Sequence, residues 1–251
     1  MIHVIYRTCK FSNLSVSKER PAYFSREKCL VNMWKTSAHD ACIGDIKYHY
    51  LFDGDLTNHF ILSYLEEKEI IKLNSKSGAR SFVDAVEYAC SLDLKDNDII
   101  YFLEDDYLHR INWTVALKEG LDIEDQCWIS LYDHGDKYYR CLPINLRPMY
   151  QQYQNYTSEI THTKGSYWRS ACSTTDTFGI KYKNLITYKN IITKWSKLAA
   201  HSLDHNRGLE LNDLGLKLWT PMPGYSTHME PAYMSPMVNW EMVQKDSTNG
   251  N

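Results

Sequence analysis

The chain has 251 residues, which corresponds to one large domain or two small ones, since roughly 100–200 residues form a domain. Hydrophobic residues make up 43% of the sequence and charged residues 24%, a balance that excludes a disordered, collagen-like or coiled-coil chain as a whole. The formal net charge of -3 at pH 7 leaves no basic surplus for holding a nucleic-acid backbone, so nucleic acid is not an expected partner.

Cysteine usage and the distribution of apolar residues bear on the cellular compartment. The seven cysteines are odd in number and form no CxxC pair, which argues against a zinc ribbon or a thioredoxin-type site and favours a reducing compartment. No signal-peptide pattern opens the chain, and it contains no run of about 18 apolar residues. We therefore expect a cytoplasmic protein with no membrane span.

Predicted strands and helices alternate through the first half of the chain. Apolar runs predict strands at residues 2–6, 46–52, 70–73, 99–103 and 128–132. Helical spacing of apolar residues predicts helices at residues 23–34, 59–66, 82–90 (with Ser81 as N-cap) and 113–118. This alternation predicts the α/β class with a largely parallel sheet.

The second half of the chain is less regular. Residues 140–165 show no clear pattern. A short strand is predicted at 177–180, and helices are predicted at 185–201 and 207–218. No linker or repeat divides the sequence. We expect one domain over residues 1–245 and a frayed tail over 246–251.

Three consecutive carboxylates, Glu104, Asp105 and Asp106, follow the apolar run at residues 99–103. Ligands of open α/β sheets bind at the carboxyl ends of the strands, where these acids would lie. Adjacent carboxylates repel one another, and a nearby cation would stabilise them. Oxygen ligands suit Mg²⁺ or Mn²⁺ better than zinc. The alternative is a solvated acidic turn in which Asp106 caps the next helix.

An apolar strand followed by Glu-Asp-Asp resembles the acidic DxD motif of GT-A glycosyltransferases, with Glu at the first position instead of Asp. The resemblance implies a GT-A-like (Rossmann-type) open sheet with flanking helices. It also implies a divalent metal, Mn²⁺ or Mg²⁺, that holds the diphosphate of a nucleotide sugar. Carried onto this chain, Glu104 or Asp105 would face the ribose or the sugar, and Asp106 would ligate the metal.

The same resemblance implies a nucleotide site at the ends of the first two strands. Arg7 and Thr8 end the first strand and would contact the nucleotide. Asp53 or Asp55 follows the second strand and would accept hydrogen bonds from the base. An acceptor there suits uracil or guanine better than adenine, so the expected donor is a UDP- or GDP-sugar.

Two further positions follow from the resemblance. Arg80, or Lys76, lies in the loop before the helix at 82–90 and would neutralise the diphosphate. The alternative for Arg80 is an exposed charge in the first helical turn. His228 ends a segment rich in Pro and Gly and resembles the late metal-ligating histidine of the family. The alternative is a histidine in a surface loop.

Glycosyl transfer needs a carboxylate that removes a proton from the attacking hydroxyl. In inverting members of the family this base lies late in the chain near a helix start, and residues 203–210 resemble that region. Asp204 is the first candidate, Glu210 the second and Asp213 the third. The alternative for Asp204 is a helix N-cap.

The acceptor is expected to bind in the irregular middle of the chain. Trp168 would stack on a sugar face, although a tryptophan there would be equally ordinary in the core. His134, beside Asp133, is a candidate contact for the acceptor or the metal.

Together these features predict a metal-dependent glycosyltransferase that moves a sugar from a UDP- or GDP-sugar to a hydroxyl of a glycan acceptor, with inversion. The alternatives are a nucleotidyltransferase that makes nucleotide sugars and a non-catalytic carbohydrate-binding protein. Residues 7–20 contain no glycine, which argues against the nucleotidyltransferase. GxGxxG, GxxxxGK[ST] and GxSxG are absent, which disfavours a dinucleotide oxidoreductase, a P-loop kinase and an α/β-hydrolase.

Overall fold

The computed structural model describes residues 1–10, 18–39, 45–138, 140, 144–145, 147, 156–198 and 202–249. In these residues the strands are β1 (Ile2–Cys9), β2 (Ile46–Asp53), β3 (Ile70–Leu73), β4 (Ile99–Glu104), β5 (Tyr107–His109), β6 (Cys127–Ile129), β7 (Ile160–His162), β8 (Tyr167–Ala171), β9 (Phe178–Lys181), β10 (Lys217–Met222) and β11 (Ser226–His228). The helices are α1 (Arg26–Ala38), α2 (Gly78–Ser91), α3 (Trp113–Leu121), α4 (Tyr182–Lys197), α5 (Asp204–Asp213) and α6 (Trp240–Asn249).

Nine strands form one sheet in the order β3-β2-β1-β4-β9-β6-β10-β8-β7. The first four strands of that order, β3, β2, β1 and β4, are parallel to one another, and β6 is parallel to β10. The strands β9, β8 and β7 run antiparallel to their neighbours. The predicted α/β class, with an open and mostly parallel sheet flanked by helices, is confirmed.

Strand β4 lies in the middle of the sheet and is buried on both faces. Tyr101 and Leu103 belong to the core beneath α1 and α3. Ile100 and Phe102 belong to the core beneath α2, α4 and α5. A continuous apolar run is typical of a strand that is covered by helices on both sides. Because β4 lies in the middle of the sheet, the three acids at its end lie at the carboxyl edge of the parallel strands.

Helix α2 begins earlier than its apolar spacing indicates. The Ser77 hydroxyl accepts a hydrogen bond from the backbone N–H of Arg80 (3.2 Å) and is the N-cap. Ser81, the predicted cap, is a buried residue inside the helix. An N-cap serine satisfies one of the otherwise unpaired N–H groups of the first turn, and Ser77 does this here.

Other element predictions differ from the structure. Residues 59–66 contain a 3₁₀ turn at Phe60–Ser63 in place of the predicted α-helix. The helix predicted to reach residue 218 ends at Asp213, because Gly215 adopts a left-handed φ of 87° and β10 begins at Lys217. The tail predicted to fray from residue 246 is helical at 246–249 within α6, and residues 250–251 lie outside the described residues.

A second, two-stranded sheet pairs β5 with β11. Its antiparallel register sets Tyr107 opposite His228 and His109 opposite Ser226. The backbone N–H of Met229 also donates to the carbonyl oxygen of Asp106 (2.9 Å). This small sheet holds the segment after the three acids against the late histidine.

None of the helices in the described ranges is long and apolar enough to cross a membrane. The five cysteines there, Cys9, Cys29, Cys90, Cys127 and Cys172, are free thiols. The other two, at positions 42 and 141, lie outside the described residues.

Replacing Gly208 with alanine is expected to destabilise the fold by about 1–3 kcal/mol, as overpacking commonly does. A Cβ at Gly208 would lie 2.5 Å from the carbonyl oxygen of Cys172 and 2.7 Å from the Cα of Ser173, and neither backbone atom can rotate away. Urea unfolding monitored by circular dichroism measures the change. Gly78→Ala is the control, because a Cβ there would meet nothing within 4 Å. Equal stability of the two variants would contradict this account of how α5 packs.

Candidate active site

The acids after β4 are held by residues at the end of β1. The parallel register sets Arg7 opposite Glu104. The guanidinium of Arg7 donates to Glu104 (3.2 Å), and the Thr8 hydroxyl donates to Asp105 (2.5 Å). The structure therefore brings together four of the residues predicted to bind the nucleotide sugar.

The three carboxylates differ in their affinity for a proton. Burial raises the pKa of Glu104 to about 7, and it also raises the pKa of Asp105. Burial alone would raise the pKa of Asp106 as well, but His228, Lys18 and Arg20 outweigh it and hold that pKa well below its usual range. The positive charges around the acids thus stabilise the anionic form of Asp106 above all.

Asp106 and His228 are in direct contact although 122 positions separate them in the sequence. The Nε2 atom of His228 lies 2.9 Å from the Oδ2 atom of Asp106, and both side chains are largely buried. The other ring nitrogen, Nδ1, lies 3.6 Å from a carboxylate oxygen of Glu230. Arg20 donates to the same Oδ2 of Asp106 (2.7 Å). The late histidine is therefore placed beside the last acid of the motif, as the predicted metal pair requires.

The Asp106–His228 contact of 2.9 Å is a direct hydrogen bond from the imidazole N–H to the carboxylate. A carboxylate oxygen and an imidazole nitrogen are both groups that could hold a Mn²⁺ or Mg²⁺ ion, which would take the place of that proton. In the residues that the structure describes, no group of three or more His, Cys, Asp or Glu side chains could hold a metal ion. An ion at the pair would have two protein ligands, and Mg²⁺ commonly takes its remaining ligands from water and phosphate.

A polar cavity of about 270 Å³ opens beside this pair. Its lining includes His228, Lys18, Tyr132, His134, Ser173 and Asp204. Hydroxyl, imidazole and carboxylate groups thus surround a space that also has an aromatic wall. Such a lining suits a polyhydroxylated ligand, which needs several hydrogen-bond partners and an apolar surface for its C–H face.

Asp204 lies at the start of α5 and faces the cavity. Burial raises its pKa to about 6; Arg207 opposes this rise, whereas Asp176 adds to it. The N-cap of α5 is Leu203, so Asp204 is the first residue of the helix and not its cap. A half-buried carboxylate with a raised pKa beside a cavity has the character of a general base.

Several predicted residues lie away from this cavity. Both carboxylate oxygens of Glu210 accept hydrogen bonds from Lys194 (2.8 and 2.9 Å), and Trp195 donates to one of them as well (2.5 Å). Asp213 is exposed at the end of α5. Of the three candidates for the base, only Asp204 lines the cavity.

The predicted acceptor residues divide in the same way. His134 lines the cavity, and its Nε2 lies 3.0 Å from the Thr174 hydroxyl. Asp133 is buried in an ion pair with Arg169 (2.8 Å). Trp168 is fully buried in the core, so its ring cannot stack on a ligand. The aromatic side chains that line the cavity are Tyr132 and Tyr233.

The remaining donor-site candidates are spread along the sheet edge. Asp53 accepts a hydrogen bond from the Ser75 backbone (2.7 Å), and Asp55 is exposed and paired with Lys10 (3.2 Å). Arg80 is half-exposed and pairs with Asp84 one helical turn away (2.9 Å). Arg80 therefore pairs with an acid of its own helix, whereas other basic side chains lie beside the three carboxylates at the end of β4.

Two of those cations, Lys18 and Arg20, escaped sequence reasoning. They lie in the polar stretch between the first strand and α1, and long flexible side chains in such a stretch carry no periodic signal. The sequence signal that could have indicated them is a pair of basic residues shortly after the first strand, which ends beside the three carboxylates.

No family model matches this chain, and no curated protein matches it in sequence. Among solved structures it is similar to the galactosyltransferase LgtC in complex with donor and acceptor sugar analogues, with 12% identity, 87% of this chain and 72% of that chain covered, and a TM-score of 0.43. It is also similar to CMP:2-keto-3-deoxy-manno-octonic acid synthetase complexed with CTP, with 11% identity, 99% and 98% covered, and a TM-score of 0.48. These similarities are too distant to transfer an activity.

Proposed function

We propose that this protein is a metal-dependent glycosyltransferase that moves a sugar from a UDP- or GDP-sugar to a hydroxyl of a glycan acceptor. The observation that carries the proposal is the contact between Asp106 and His228 at the carboxyl end of β4, beside a polar cavity that also contains Asp204. A divalent ion at this pair would stabilise the negative charge of the leaving diphosphate, and the half-buried Asp204 would accept the proton of the attacking hydroxyl.

The donor would bind along the ends of β1 and β4. Thr8 and Arg7 hold Asp105 and Glu104 in place, so these carboxylates are oriented before any ligand arrives. A Mn²⁺ or Mg²⁺ ion held by Asp106 and His228 would stabilise the negative charge of the departing diphosphate. The nucleobase of the donor would lie toward Asp53, whose carboxylate suits uracil or guanine.

The acceptor would occupy the cavity. Ser173 and His134 offer hydrogen bonds to its hydroxyls, and the half-buried Tyr233 offers an aromatic side chain in place of the buried Trp168. Asp204 would accept the proton of the attacking hydroxyl. With a pKa of about 6, its carboxylate is mostly ionised at neutral pH and more basic than an ordinary aspartate. A single displacement with this base inverts the anomeric configuration.

Nucleotide binding tests the proposal most directly. Isothermal titration of UDP and GDP is expected to show binding with Mn²⁺ present and a loss of more than about tenfold with a chelator, because the ion links protein and diphosphate. Asp106→Asn is expected to remove the Mn²⁺ dependence. Asp122→Asn, at an exposed aspartate paired with Lys181, is the control and should keep it.

Equal affinity for UDP and GDP with Mn²⁺ and with chelator would overturn the proposal. A turnover assay with a panel of nucleotide sugars then separates the activities. A transferase releases nucleoside diphosphate, whereas a nucleotidyltransferase given a nucleoside triphosphate releases pyrophosphate. A binding protein is stabilised thermally by sugar without any release.

A further inference from the structure

We propose that Lys18 is a diphosphate-binding residue that rests on the Asp106–His228 pair until a divalent ion and the donor arrive together. This inference rests on the proposed function and assigns a role that no predicted residue fills. Arg80, the predicted diphosphate cation, pairs with Asp84 on its own helix instead.

The position of Lys18 is the first observation. Its ammonium nitrogen lies 3.4 Å from Nε2 of His228 and 3.8 Å from a carboxylate oxygen of Glu230. It also lines the cavity, and about a third of its side chain is exposed. Lys18 is therefore a cation at the mouth of the site, paired with Glu230 and adjacent to the imidazole that would ligate the ion.

A divalent ion at the pair would repel the Lys18 ammonium. The Asp106 carboxylate can only accept, so Nε2 of His228 donates its proton to Oδ2 of Asp106, and an ion would have to replace that proton. An ammonium that stays 3.4 Å from that nitrogen would also face the charge of the ion at close range. Occupation of the pair would thus move Lys18 away from His228. Its positive charge would remain at the cavity, where it can bind an anion.

Arg20 behaves differently because a carboxylate oxygen has more than one acceptor position. It donates to Oδ2 of Asp106 (2.7 Å) and to the carbonyl oxygen of Met229 (2.8 Å), and its guanidinium lies 4.6 Å from the centre of the Phe24 ring. These contacts can persist while Asp106 ligates an ion, as hydrogen bonds to ligating carboxylates commonly do. Arg20 is a positioning residue, and Lys18 is the cation that moves.

The local charge balance makes the two ligands depend on each other. Lys18 and Arg20 already balance the carboxylates of Asp106 and Glu230. A divalent ion alone brings an excess of positive charge, which a diphosphate would cancel, and the freed Lys18 lies at the cavity to bind it. We therefore expect Mn²⁺ to bind weakly alone and much more tightly with UDP or GDP.

The test measures Mn²⁺ binding by the electron paramagnetic resonance of the free ion, with and without saturating UDP or GDP. In Lys18→Met, Mn²⁺ alone is expected to bind about fivefold more tightly, because a competing charge is gone. In the same variant the nucleotide is expected to bind about tenfold more weakly at saturating Mn²⁺, because a charge-assisted hydrogen bond is lost. These opposite changes separate this role from a structural one, which would weaken both ligands.

Two control variants accompany the test. Lys10→Met makes the same charge change at an exposed pair with Asp55 and should alter neither affinity. Lys18→Arg keeps the charge and should preserve the dependence of one ligand on the other. If Lys18→Met leaves both affinities unchanged or weakens both, the role of Lys18 is wrong while the proposed function stands. If the wild-type protein binds its nucleotide equally with Mn²⁺ and with chelator, both proposals are wrong.

Discussion

Asp204→Asn is expected to lower the turnover of the proposed reaction by about 10²–10⁴-fold, the usual contribution of a positioned general base. The amide cannot accept the proton of the attacking hydroxyl, yet it nearly matches the size of the carboxylate. The Kd of the nucleoside diphosphate should stay within about twofold, because Asp204 is not among the residues proposed to hold the ion or the donor. Steady-state release of nucleoside diphosphate gives the rate, and calorimetry gives the Kd.

The pH profile provides a second readout for the same residue. Burial raises the pKa of Asp204 to about 6, and a base must be ionised to act. The rate should therefore fall as the pH drops through about 6, and this limb should be absent from the residual activity of Asp204→Asn. Glu210→Gln is the matched control, since Lys194 and Trp195 hold Glu210 outside the cavity. An equal loss of turnover in both variants would contradict the assignment of the base.

Arg207→Met is expected to lower the free energy of unfolding by about 3–5 kcal/mol, as the loss of one partner of a buried ion pair does. Arg207 is fully buried, and its guanidinium donates to Asp176 (2.6 Å) and to the carbonyl oxygen of Thr175 (2.8 Å). The guanidinium also packs over Phe82 (4.8 Å from the ring centre). Without it, among the residues that the structure describes, Asp176 keeps a longer contact with Arg7 (3.6 Å) and the hydrogen bond from the Ser202 hydroxyl. Guanidinium chloride unfolding measures the loss.

Lys194→Met is the control for that variant. Its pair with Glu210 is partly exposed, so we expect a loss below about 1 kcal/mol. Arg207 also lowers the pKa of Asp204, so Arg207→Met should move the acid limb of the rate toward higher pH. The double variant Asp176→Asn with Arg207→Met should recover part of the stability, because no buried charge is then unpaired. A loss as small as that of Lys194→Met would show that the buried pair contributes little.

The parallel half of the fold follows closely from the sequence. The apolar run at residues 99–103 has no polar interruption, so burial on both faces is its natural outcome, and β4 occupies those residues. Strand β3 occupies the predicted residues 70–73. In both cases the signal is local and is read from the side chains of the strand itself.

In the antiparallel half, β9 (Phe178–Lys181) overlaps the strand predicted at 177–180, but the other strands could not be predicted in the same way. Strand β8 contains Arg169, which is buried because Asp133, from a distant part of the chain, neutralises it. A buried charge interrupts the apolar pattern that marks a strand, and only the folded partner explains it. Strand β10 begins two residues after the helix-ending Gly215, a spacing too short for a separate periodic signal.

The site shows the same division. The resemblance to the glycosyltransferase family implies roles for Asp106 and His228, and the structure brings the two side chains into contact. A tryptophan at position 168 is compatible with stacking on a sugar or with a place in the core, and the packing of neighbouring strands places Trp168 in the core. The partners of Lys18 and Arg20 are more than 80 positions away and come from the fold, so no local pattern identifies them.

The short ladder between β5 and β11 has an evolutionary consequence. Backbone pairing of Tyr107 with His228 determines how far apart Asp106 and the imidazole lie, whatever the length of chain between the two strands. Lineages can therefore lengthen or shorten the loops of that intervening region without moving either side chain. Remote relatives are better sought as two short paired segments separated by a variable interval than as one motif at a constant spacing.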